Sequence, residues 1–168
     1  MTPPDKNVVR KELMISASQK RAFQTFTDGL DLWWPRAHHI GKAELKRAVL
    51  EAKANGRWYE IGVDGSECDW GRVLVWNPPH KIVLAWQITA AWQYDPNFLT
   101  EVEVNFVELG PNLTQFTLEH RNIDRFGEKA PQMWSAFDSD GGWGGLSASF
   151  AKAAEASQSG REKTAASI

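Results

Sequence analysis

A chain of 168 residues, 42% hydrophobic and 24% charged, has the length and composition of one ordinary globular domain, and these values exclude a disordered or fibrous chain. The formal net charge of -2 supplies no excess of cations for phosphate, which argues against nucleic acid and acidic lipid as partners. The single cysteine, Cys68, permits no internal disulfide. The start MTPPDKNVVRKELMIS lacks the basic and apolar regions of a secretory leader, so a cytoplasmic protein without integral membrane association is expected.

Residues 8–16 read as a first strand, with Val9, Lys11, Leu13 and Ile15 on one side and Val8, Arg10, Glu12 and Met14 on the other. Ser16 or Ser18 can cap a helix reaching about Phe26, because Ala22, Phe23 and Phe26 recur at helical spacing. A second short helix in GLDLWW stops before Pro35, since a residue preceding proline avoids the helical region. From Leu45 the chain breaks into strand-length pieces. Turn signals at Asn55-Gly56, Asp64-Gly65 and Asn77-Pro78-Pro79 delimit strands at about 45–54, 57–63, 67–76 and 80–89. The looser segment AAWQYDPNF leads to two more strands, about 99–108 and 113–122, joined through Gly110-Pro111-Asn112.

Alternation in these strands identifies the inner face. Ile82, Leu84, Trp86 and Ile88 share one side, Val102, Val104 and Phe106 another, and Phe116, Leu118 and His120 a third. A closing helix at about 141–157 carries the stripe Trp143, Leu146, Phe150 and Ala153 or Ala154, with Ser139 or Asp140 as its cap. Residues 158–168 are polar and small, and read as a flexible tail; the domain therefore spans 7–157. The expected class is α+β: a curved antiparallel sheet of about seven strands wrapped around a long C-terminal helix, with two short helices after the first strand.

Several pieces of this pattern resemble a known superfamily. They are Ser18-x-x-x-Ala22-Phe23 with Phe26, the run Gly56-Arg57-Trp58-Tyr59-Glu60, and Gly71-Arg72-Val73. The Trp76-Asn77-Pro78-Pro79 turn leading to Trp86, the strand from Thr114 to His120, and Gly142-Trp143-x-x-Leu146 complete the set. Together they resemble the START-like, birch-pollen-allergen-like (SRPBCC) superfamily, in its bacterial branch similar to the activator of the ninety-kilodalton heat-shock-protein ATPase. The resemblance implies a helix-grip fold whose sheet and long helix can enclose an apolar or aromatic molecule. It also implies that Trp58, Trp86 and Trp143 face the interior. A fold of this kind hosts lipid carriers, cyclases and co-chaperone modules, so it does not by itself choose among them.

Nine tryptophans in one domain either fill an aromatic core or line a pocket for an apolar guest, and the sequence supports both readings equally. Phe106 and Phe116 join the three interior tryptophans by strand parity. His120 has the parity of Phe116 and Leu118, so its imidazole needs a partner. Glu60, with the parity of Trp58, could be that partner or a second polar group of the pocket, and the pair could be structural, bind a ligand or supply a general base. The candidate ligand-binding set is thus Trp58, Glu60, Trp86, Phe106, Phe116, His120 and Trp143. No catalytic residue, metal or cofactor is assigned: His38 and His39 are adjacent and sit on no element suited to a metal, and no nucleophile motif is present.

The glycines at 141, 142, 144 and 145 call for close helix-to-sheet approach or for ligand access. Trp92 and Tyr94, in a polar loop, are candidates for a lid over the pocket. The expected partner is a hydrophobic or aromatic small molecule. The alternatives are a chaperone or other protein engaged by a co-chaperone-like surface, and a cyclase, dehydratase or hydrolase substrate in the same cavity.

Overall fold

The structure is a computed structural model that describes residues 6–166, with side chains described through Gln158. The first strand, β1 (Val8–Ile15), is followed by two short helices, α1 (Gln19–Phe26) and α2 (Leu30–Trp33). Six strands come next: β2 (Leu45–Leu50), β3 (Arg57–Gly62), β4 (Glu67–Asn77), β5 (Lys81–Trp86), β6 (Thr100–Gly110) and β7 (Leu113–Arg121). A 3-10 segment, Ile123–Lys129, then leads into α3 (Ala130–Asp138) and the long α4 (Trp143–Ala166).

All seven strands form one antiparallel sheet in the order β1-β7-β6-β5-β4-β3-β2, so six strands run as a meander and β1 closes against β7. The α+β helix-grip class expected from the sequence is the fold observed. The hairpin turns fall where the turn signals placed them, with Asn55 and Gly65 both at positive φ. Ser18 caps α1 by accepting from the Arg21 N–H at 3.1 Å. At the start of α4 the capping is by main chain: the Ser139 carbonyl accepts from Gly142 N and Gly144 N, while its hydroxyl donates back to the Ala136 carbonyl.

Three elements depart from expectation, the first being the strand predicted at 45–54, which ends at Leu50. The strand predicted at 80–89 ends at Trp86, and Ile88 pairs only with Tyr94 across the following loop. The stretch between β7 and the last helix, to which the sequence reading gave no element, contains α3. Its Pro131 sits in the first turn, and Met133 and Phe137 turn a buried edge to the core. The flexible tail expected at 158–168 lies almost wholly outside the residues whose side chains are described, and α4 is helical as far as Ala166. No helix among the described residues is long and apolar enough to cross a membrane.

The core lies between the concave face of the sheet and α4, in two aromatic layers. One layer joins Phe23, Phe26, Phe106, Phe116 and Phe150, with Phe116 and Phe150 ring centroids 4.9 Å apart. The other joins Trp34, Trp58, Trp70, Trp86, Phe137 and Trp143. Each fully buried ring contributes roughly 2–3 kcal/mol by its area removed from water, so both layers hold the helix on the sheet.

Candidate functional site

The second aromatic layer is not closed. Where the loop at 34–41, the ends of β4 and β5, α3 and the first turn of α4 meet, it opens into a cavity of about 450 Å³. The rings along the wall are Trp34 at the end of α2, Trp70 on β4, Trp86 on β5, Trp92 from the loop after β5, Phe137 on α3 and Trp143 on α4. Ile40, Ile88 and Leu146 fill between them, and the polar side chains on the wall are His38, His39 and Ser139.

A buried indole N–H costs free energy unless something accepts from it. Trp34 Nε1 donates to the His38 carbonyl at 2.8 Å and Trp86 Nε1 to the Ile88 carbonyl at 3.1 Å. Trp70 Nε1 donates to Glu60 Oε1 at 2.8 Å, and Trp143 Nε1 to His120 Nδ1 at 3.0 Å. These four rings are therefore pinned by their polar edges and present carbon surface to the cavity.

His120 is the pin for Trp143. An indole N–H only donates, so Nδ1 of His120 is an acceptor, and Nε2 carries the proton that it donates to Thr100 Oγ1 at 2.7 Å. The imidazole is fully buried against Phe137, with ring centroids 4.4 Å apart, and burial pushes its pKa down to about 3. At neutral pH it is thus uncharged, with both nitrogens satisfied, and it ties β7 to β6 and to the first turn of α4.

Glu60 does not meet His120. Its carboxylate accepts from Ile40 N at 2.6 Å, Gly41 N at 3.1 Å and Trp70 Nε1 at 2.8 Å. Three donors around one buried carboxylate hold the loop at 38–41 against β3 and β4. Gly41 belongs to this arrangement, because a Cβ there would lie 2.9 Å from Glu60 Oε2 and 3.2 Å from Cys68 Sγ. Of the two roles left open for Glu60, the pairing with His120 does not form; the two residues are separate anchors, one behind each side of the cavity.

Of the seven residues singled out from the sequence, Trp86 and Trp143 line the cavity. His120 and Glu60 stand directly behind the wall. Trp58 is buried one ring further in, edge-on to Trp34 and Trp70, and its N–H has no partner among the described residues. Phe106 and Phe116 lie in the other aromatic layer, with Phe23, Phe26 and Phe150.

The structure brings in residues that the sequence reading did not assign to the site: Trp34, Trp70, Phe137, His38 and His39. Phe137 had a signal in the helical spacing Met133 to Phe137 after Pro131. The histidines had none, because they stand in a loop. His38 Nε2 donates to the Gly141 carbonyl at 2.8 Å and fastens that loop to the approach to α4. Where the sequence offered helix-to-sheet approach or ligand access as the reason for the 141–145 glycines, Gly142 and Gly145 are required by the chain's own turn. A Cβ on Gly142 would strike the carbonyls of Ala136 and Phe137, and one on Gly145 the carbonyl of Asp140. They allow the tight α3-to-α4 turn that forms one wall. Among the described residues no cluster of three His, Cys, Asp or Glu could hold a metal.

Comparison with solved structures finds the same architecture in other proteins. Anthrahydroquino-gamma-pyrone synthase Txn09, solved complexed with SUM, is 34% identical, with 89% of this chain and 99% of that one covered and a TM-score of 0.63. The self-sacrificing resistance protein CalC from Micromonospora echinospora is 29% identical over 91% of this chain and 97% of its own, with a TM-score of 0.68. Protein NE0264 from Nitrosomonas europaea, 9% identical, covers 94% and 99% with a TM-score of 0.66 and shares the fold alone. A search of curated proteins gave no match. The family model described as "Activator of Hsp90 ATPase homolog 1-like protein" matches residues 16–155. With that match spanning most of the chain, from the first helix into α4, this protein belongs to the Activator of Hsp90 ATPase homolog 1-like family within the SRPBCC superfamily.

Proposed function

We propose that this protein binds a planar polycyclic aromatic compound of polyketide type in the cavity between the 34–41 loop, α3 and the start of α4. The observation that carries the reading is the wall itself: six aromatic side chains around about 450 Å³, within the roughly 300–1,000 Å³ typical of small-molecule sites. Flat π faces on several sides suit a flat guest, because offset and edge-to-face ring contacts add to the burial of apolar area. The 34% identity with a synthase named for an anthrahydroquino-gamma-pyrone supports this class of guest. Trp86 and Trp143 supply contact area together with Trp34, Trp70, Trp92 and Phe137. His120 and Glu60 hold those rings in place from behind, and Trp58, Phe106 and Phe116 support the layer.

The same 34% relative favours a second reading, in which the bound compound is also cyclised. His120 is poorly suited to the proton transfer, since both of its nitrogens are occupied and its pKa is near 3. Any proton transfer would fall to groups on the wall.

Native mass spectrometry of freshly purified protein, followed by a thermal-shift screen of fatty acids, flavonoids and hydroxylated anthraquinones, tests the proposal. A retained mass, or a melting temperature raised by the aromatics and not by the fatty acids, supports it. A folded protein that none of these compounds stabilises would refute it. Conversion of a bound compound during incubation would separate the enzyme from the binder.

A further inference from the structure

The polar side chains on the cavity wall can be assigned donor by donor. The indole N–H groups of Trp34, Trp70, Trp86 and Trp143 are all engaged inside the protein. Ser139 gives its hydroxyl proton to the Ala136 carbonyl, and His38 gives its Nε2 proton to the Gly141 carbonyl. The Nδ1 of His38 is sealed from solvent. The remaining indole N–H, that of Trp92, belongs to a ring 47% exposed to solvent, so the other side-chain groups left on this wall are acceptors.

His39 is the decisive one. Its Nδ1 lies 2.9 Å from the Gly41 carbonyl oxygen. A carbonyl only accepts, so Nδ1 carries the proton and Nε2 of the neutral ring is left with its lone pair. That nitrogen has no partner among the described residues and, unlike His38 Nδ1, is not sealed away. The orientation is not accidental to the loop. The Gly41 carbonyl is fixed because Glu60 takes the Ile40 and Gly41 N–H groups, and Glu60 is itself held against Trp70.

We propose that His39 Nε2 is the recognition point of the cavity, accepting a hydrogen bond from a phenolic or enolic O–H of an aromatic ligand. Neutral hydroxylated ring systems are thereby selected over the same rings bearing a carboxylate. The inference rests on the cavity reading above and names its ligand class. A carboxylate seated at the same place would set its charge against aromatic carbon and the His39 lone pair with no donor to meet it, which disfavours it. A hydroxyl finds its acceptor already oriented. His39 is a binding residue in this scheme, and Glu60 is the positioning residue behind it.

Three probes with one skeleton test the idea: 2-hydroxyanthraquinone, anthraquinone and anthraquinone-2-carboxylate, each titrated against the parent and His39→Phe by quenching of tryptophan emission. The parent is expected to bind the hydroxylated probe about fivefold or more tightly than the bare ring, the scale of one well-made neutral hydrogen bond, and to bind the carboxylate weakest. His39→Phe should lose the preference for the hydroxyl, binding the hydroxylated and the bare ring within about twofold of each other. A preference that survives His39→Phe, equal binding of all three probes, or tightest binding of the carboxylate would each overturn the proposal. Binding of none of the three by the folded parent would refute the cavity reading itself and this inference with it. Independently of any ligand, long-range nitrogen–proton NMR correlations on the free protein should show His39 with its proton on Nδ1. A ring protonated on Nε2 would end the proposal while leaving the cavity reading standing.

Discussion

Replacing His120 by Gln removes a titrating group while keeping a donor for Thr100 and an acceptor for Trp143. In the folded protein the imidazole is held down to about 3 by burial, whereas in the unfolded chain it returns to the ordinary value of 6.5. Between those values the unfolded chain binds a proton that the folded one refuses. His120 therefore contributes stability that is fully present above pH 6.5 and lost as the pH falls toward 3, at about 1.4 kcal/mol per pH unit. At pH 4.5 the loss amounts to roughly 3 kcal/mol, a large share of the 5–15 kcal/mol typical of a domain. With a urea slope of about 1–3 kcal/mol per molar, the parent's midpoint should fall by about 1–3 M more than that of His120→Gln between pH 7 and 4.5. Urea titrations followed by tryptophan emission at several pH values measure this directly. The absolute stability of the variant is not the test, because Gln packs less well against Phe137. Parallel pH profiles for parent and variant would refute the assignment of His120 as a buried neutral group.

Other perturbations address the remaining parts of the site. Glu60→Ala strands three donors, the buried Trp70 N–H and the part-buried Ile40 and Gly41 N–H groups, and frees the 38–41 loop, so it should cost about 3 kcal/mol in chemical denaturation, and Glu60→Gln less, since it keeps an acceptor. Gly145→Ala drives a methyl into the Asp140 carbonyl and should destabilise by about 2 kcal/mol in thermal melts, despite the better helix propensity of Ala. Gly144→Ala, which meets the Ser139 carbonyl only at 3.0 Å, should cost less. Trp92 stands at the cavity mouth 47% exposed and at positive φ, so Trp92→Ala should change stability by less than about 1 kcal/mol yet speed release of a bound anthraquinone in stopped flow. Unchanged release would end the lid reading of that loop.

Much of the fold was legible in the sequence because it rests on local rules. Turn residues set the strand ends, and alternation in β6 and β7 put Phe106, Phe116 and His120 on the buried face, where they lie. Alternation gives the face of a sheet and not the position along it. That is why Phe106 and Phe116 were grouped with Trp86 although they sit in a different layer. The partners of His120 were illegible for a related reason: Thr100 reaches it through the β6–β7 register, and Trp143 through the docking of α4, and neither is a local property. His38 and His39 carry no periodic signal. Their role depends on where a loop crosses, and that is fixed by the Glu60 carboxylate twenty residues further along the chain.

The central claim is that the space beside Trp86 and Trp143 is a binding cavity and not an incidental gap. Ala136 lies on its wall, half-buried on α3, so Ala136→Trp should fill the space with little strain on the core behind it. Tryptophan-emission titration of both proteins with 2-hydroxyanthraquinone is the most direct test. Saturable quenching of the parent, weakened at least about tenfold in a variant that melts at the same temperature, is the expected result. Equal binding by parent and filled variant, or no saturable binding by the parent, would contradict the account.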